Sequence, residues 1–222
     1  HVDTGMGFER LCMIMQGVKS NYDTDLFQLL IDRLALLTNH KYGKDSKKDI
    51  AMRVISDHIR AVACSIADGQ LPSNNKAGYV IRRILRRAIR YGYTFLDQKK
   101  PFIFKLVDNL VENLGNHYNE LTAQQNLISD VIKQEEISFL KTLTSGLKRL
   151  DVILLNKTNI SGVEVFELYD TYGFPKDLTE LILKEKGIDF NEKEFYDEME
   201  KQKNRSKKSS INDIVEWEIV LK

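Results

Sequence analysis

Five arginines, Arg82, Arg83, Arg86, Arg87 and Arg90, fall within about three helical turns, the densest concentration of one chemistry in the chain. At roughly 100° per residue they occupy one arc of a helix from Tyr79 to Arg90, while Ile81, Ile84, Leu85, Ala88 and Ile89 occupy the other. One side must be buried, and the other is a band of guanidiniums. Like charges at i and i+4 repel, and no acid lies within the repeat to relieve them. The band therefore needs either a polyanion such as nucleic-acid phosphate or acids supplied by neighbouring helices. From Lys76 to Lys100 eight basic residues face the single acid Asp97, a local charge of +7 inside a chain whose total is only +1.

Two other places could do chemistry. Asp3-Thr4-Gly5-Met6-Gly7-Phe8-Glu9-Arg10 sets two glycines at a strand-to-helix turn, where backbone can approach a nucleotide, although an ordinary tight turn also explains it. Gln70 to Gly78 is a polar loop with Pro72, Asn74 and Asn75 that feeds directly into the arginine helix. Metal chemistry has little support. Cys12 and Cys64 lack a C-x-x-C spacing, and His1, His40, His58 and His117 form no H-x-x-x-H pair, so no metal site is expected. His58 reads as a hydrogen-bonded core histidine.

The elements that must position these residues are helical, and the expected class is mostly α. Leu26, Leu30 and Leu34 mark a core-facing helix over Tyr22 to Thr38. Ile50, Val54, Ile55, His58, Ile59, Val62 and Ile66 mark another over Lys48 to Asp68. Phe102 to Leu114 and Glu120 to about Leu155 read as two more, the second with a leucine-rich stripe that suits a core face or a zipper. Ser161 with Glu164, and Asn191 with Glu194, have capping-box spacing, and Pro175 suits the first turn of a helix. Arg205 to Ser210 reads as a linker, and Val215 to Leu221 alternates as a lone strand. With 222 residues, 42% apolar and 29% charged, the chain can bury a core and is neither disordered nor collagen-like. No apolar run is long enough to span a bilayer, and His1-Val2-Asp3 does not open a signal peptide, so a cytoplasmic protein without membrane contact is expected.

Three segments taken in order, Asp3 to Arg10, Pro72-Ser73-Asn74 with Gly78-Tyr79-Val80 and the arginines, and Leu168-Tyr169-Asp170-Thr171-Tyr172-Gly173-Phe174-Pro175, resemble the alanyl-tRNA synthetases of class II. The resemblance implies that the first is the motif 3 region. Gly5, Gly7 and Arg10 would line the ATP site, and Asp3 would pair with the ammonium group of alanine. It also implies that Asn74 and Asp170 read a G·U wobble pair in the acceptor stem of alanine tRNA, with Asn75 a second reader. Arg82, Arg83, Arg86 and Arg87 would grip phosphates. Motifs 1 and 2 are not found, nor are the zinc ligands of the family's editing module. The expectation is an internal piece of an alanine–tRNA ligase that binds tRNA but is inactive alone, its parent using ATP and magnesium. Its organisation would be 1–20 the motif 3 end of the catalytic domain, a strand-turn-helix remnant; 21–158 the helical tRNA-recognition domain; 159–204 its C-terminal part; and 205–222 a linker and strand. The alternative is a stand-alone helical RNA-binding or interaction module without catalysis.

Overall fold

A computed structural model describes residues 5–156 and 159–212, with side chains for 5–155 and 159–205, and every regular element among them is helical. The mostly α class holds. Of the expected strand-turn-helix, only the helix α1 (Phe8–Met15) is seen, with extended Gly7 as its N-cap; residues 1–4 lie outside the described residues, as does the expected strand at Val215 to Leu221. No described helix is long and apolar enough to cross a membrane.

The chain divides into two units at Lys141 and Thr142. The first contains α1, α2 (Asp25–Thr38), α3 (Ser46–Ala67), α4 (Lys76–Phe95), α5 (Val107–Leu114), α6 (Asn119–Ala123) and the front of α7 (Gln125–Asn156). Leu30, Ile31 and Leu34 of α2, Ile55, Ile59 and Ile66 of α3, and Leu85 and Ile89 of α4 are fully buried and form its core. Helix ends follow local chemistry. Asn39 closes α2 in the left-handed conformation, and Asp45 opens α3 by accepting the amides of Lys47 and Lys48 at 2.9 and 3.2 Å. Those amides, Lys48's first, hold the Asp45 carboxyl below its ordinary range.

Two expectations about this unit need correction. Ile50 is 46% exposed and does not join the buried face of α3. It lies about 160° around the helix from Met52, which fills the stripe instead. The helix expected over Phe102 to Leu114 is a 3₁₀ turn (Ile103–Leu106) followed by α5, because the buried Glu136 carboxylate accepts the amides of Phe102, Ile103 and Phe104 at 3.0, 3.0 and 3.1 Å. Burial raises the Glu136 carboxyl above its usual value, and the three amides oppose that rise.

The second unit contains the rear of α7, α8 (Gly162–Asp170), α9 (Lys176–Glu185) and α10 (Glu192–Asn212). Leu143, Leu150, Val165, Leu168, Phe174, Leu183 and Phe195 fill its core. Ser161 and Glu164 form the reciprocal capping box that their spacing predicts. Pro175 is the N-cap of α9, one position earlier than a first-turn proline. The segment expected as a linker, Arg205 to Ser210, is helical, since α10 continues to Asn212. Lysine and arginine are good helix formers, and a helix already nucleated extends through a few serines at small cost.

Candidate nucleic-acid interface

The arginine helix α4 buries most of the apolar arc that its sequence defines: Ile81, Leu85, Ala88 and Ile89 are all within 7% of full burial, while Ile84 is only partly buried. The opposite arc is not a uniform band. Arg82 and Arg86 converge on Glu135 of α7, itself only 8% exposed. Arg82 Nη2 donates to one Glu135 oxygen at 3.1 Å and its Nε lies 3.0 Å from the other as an ion-pair contact without a hydrogen bond, while Arg86 Nε donates at 2.8 Å and its guanidinium lies 4.8 Å above the Phe139 ring. An acid from a neighbouring helix thus neutralises part of the arginine charge. Arg83 and Arg87 are exposed. Arg90, which the helical projection places among the exposed cations, is 3% exposed, with Tyr91 and Phe95 rings 5.5 and 6.0 Å from its guanidinium. Its long stem packs among aromatics, which a charge-based projection ignores.

The loop preceding α4 is tightly built. Ser73 N–H donates to the Gly78 carbonyl at 3.0 Å, and the Ser73 hydroxyl donates to the Asn75 carbonyl at 2.9 Å. A side chain at Gly78 would run into Ser73 and the Leu71 carbonyl, so only glycine permits this close approach. Lys76, first residue of α4, has φ 49°, an uncommon conformation for a residue with a Cβ. The loop projects Asn74 and Asn75 to solvent. Asn74 Oδ1 accepts from Arg82 Nη1, and its amide nitrogen keeps two donors on an exposed side chain. Leu71 and Pro72 form with Asp130, Val131, Gln134, Glu135 and Ser138 of α7 an open cleft of about 550 Å³ beside this loop.

In the second unit Asp170 closes α8 and is exposed. Gln202 of α10 donates to Asp170 Oδ1 at 2.7 Å, which leaves Oδ2 available. The following turn is fixed by Gly173 at φ 63°, by Phe174 N–H donating to the Leu168 carbonyl at 2.9 Å, and by the fully buried Phe174 ring, which presses on Gly146.

At the amino-terminal end Gly5, Gly7 and Arg10 are exposed, Gly7 serves as the N-cap of α1, and nothing crowds Gly5. Asp3 lies outside the described residues. Glu9 anchors the helix to Arg60 at 3.0 Å. His58 meets Asp57 at 3.3 Å, and its ring holds the Asp57 carboxyl below its ordinary range. Among the described residues no three His, Cys, Asp or Glu side chains gather as a metal site would need.

Residues 1–219 match the family model described as tRNA synthetases class II (A). The chain belongs to that family. Alanine–tRNA ligases of Bacteroides thetaiotaomicron, Bacteroides fragilis and Christiangramia forsetii are 57%, 57% and 58% identical over 97%, 100% and 98% of the chain. The chain spans only 25%, 26% and 25% of the length of those class II relatives.

Glu135, Gln202 and Phe139, which hold the candidate readers and arginines, escape a reading based on motifs. One signal was present: Glu135 and Glu136 interrupt the Ile128, Ile132, Phe139 stripe of α7, and charge on a buried stripe demands a partner. Gln202 has no such signal, because α10 is polar nearly throughout.

Proposed function

We propose that the chain is the part of an alanine–tRNA ligase that grips the acceptor stem of alanine tRNA and reads its G·U wobble pair. The observation that carries this reading is the Asn74 amide, exposed on a hydrogen-bonded loop with its carbonyl occupied by Arg82. An outward NH₂ donates to base-edge acceptors such as a pyrimidine O2, whereas a carboxylate oxygen of Asp170 accepts from a guanine amino group, and A-form RNA displays both kinds of base edge in its wide minor groove. Asn75 lies next to Asn74 on the same exposed loop and is a second reader. Arg83 and Arg87 are the principal phosphate contacts, and Arg82 and Arg86, half-buried against Glu135, offer their remaining N–H donors.

Activation of alanine belongs to the parent enzyme, which uses ATP and magnesium. The open space at Gly5 and the exposed Arg10 fit a phosphate-bearing ligand, with Asp3 for the alanine ammonium. ATP would supply the activated phosphate there, and this chain's residues would bind and orient it.

The test compares binding of acceptor-stem duplexes carrying G·U or G·C. Asn74→Ala or Asp170→Ala should cost about 1–3 kcal/mol on the G·U duplex and little on the other. Equal losses on both would remove these residues from the reading role. Replacing Arg83 and Arg87 by glutamine should lower the slope of log K against log salt by about 1.4–1.8 and weaken both duplexes alike.

A further inference from the structure

We infer that Glu135 is a positioning residue of the RNA-reading site: by locking the Arg82 guanidinium it decides which atom of the Asn74 amide faces outward. This rests on the reading of Asn74 proposed above. Asparagine presents a donor at one end and an acceptor at the other, and an exposed one can present either by turning over. Here the turn is prevented in two steps. Glu135 accepts a hydrogen bond from Arg82 Nη2 at 3.1 Å through one carboxylate oxygen and sets its other oxygen 3.0 Å from Nε as an ion-pair contact, and together these fix that edge of the planar guanidinium. Its Nη1 edge then meets Asn74 Oδ1, because two N–H groups cannot face each other.

Glu135 is also unusually committed. Its side chain is 9% exposed and bonds two arginines from one helix, while Arg82 remains 25% and Arg86 22% exposed. A carboxylate serving only to dilute charge would gain nothing from such burial, since surface ion pairs do that work at less desolvation cost. Burial does make the geometry unique, which is what a donor-only reader needs.

The experiment measures the ratio of affinities of the chain for G·U and G·C acceptor-stem duplexes at one salt concentration. Glu135→Gln should lower that ratio by about three- to tenfold and leave binding to the G·C duplex unchanged or slightly tighter, since a negative charge near phosphates is removed. Combined with Asn74→Ala it should lower the ratio no further than Asn74→Ala alone. The Asn74 side-chain NH₂ signal in a nitrogen–proton NMR spectrum should broaden or shift in Glu135→Gln. A ratio preserved in Glu135→Gln but lost in Asn74→Ala overturns the positioning role and leaves Asn74 as reader. A wild-type ratio of one overturns both, and equal loss on the two duplexes shows a purely structural role. Should Glu135→Gln fail to fold, Arg82→Lys keeps the charge without the fork and gives the same comparison.

Discussion

Two exposed polar residues, Asn74 and Asp170, each have one side-chain oxygen held by the protein, Asn74 by Arg82 eight residues on in the next helix and Asp170 by Gln202 thirty-two residues on. A reader held this way pays little rotamer entropy on binding. Gln202→Ala should therefore weaken G·U preference by less than Asp170→Ala, a comparison the same duplex assay makes directly. Glu136 is the other committed carboxylate. Glu136→Gln places an NH₂ against at least one backbone amide and should cost about 1–3 kcal/mol of stability in a denaturant melt. Asp57 is held below its usual range by His58, so its contribution is present above the unfolded carboxyl pKa and is lost as pH falls through the lower folded value. Asp57→Asn should flatten that acid limb of the stability profile.

Helix existence was legible where residue pattern and cap agree. Ser161 and Glu164 announce α8, and Leu30 with Leu34 announces α2, because capping and burial are short-range matters. The 3₁₀ turn before α5 and the break at Gln124, whose side chain donates to the Ala67 carbonyl at 2.7 Å, depend on partners 33 and 57 residues away and leave no local mark. The arginine helix shows both sides: its apolar arc was readable, but the sharing of Arg82 and Arg86 by Glu135 needed the fold. At this scale Gly78→Ala should distort the Ser73 to Gly78 turn and lower G·U preference even if the helices stay intact by circular dichroism.

Two units with separate cores make up the chain, joined through the single helix α7. Gly146→Ala, which pushes on Phe174, should cost roughly 1–3 kcal/mol and raise amide exchange in α8 and α9 while α2 and α3 keep their protection. Uniform loss of protection would mean that the units unfold together. Mostly α architecture and family membership were both accessible from sequence, through helical periodicity and three long ordered motifs. What holds Arg82, Arg86 and Asp170 was not, because those contacts join residues 32 to 53 positions apart.

Lys76 winds the backbone into a region that L-residues avoid, at a cost of about 1–2 kcal/mol. A β-branched side chain at this position would enlarge that penalty, whereas glycine would relieve it and return most of the gain as extra freedom in the unfolded chain. The point where the loop enters α4 is consequently a stretched spring: a substitution at Lys76 that touches no core relaxes its coil and shifts the neighbouring Asn74 amide from the position it is built to hold.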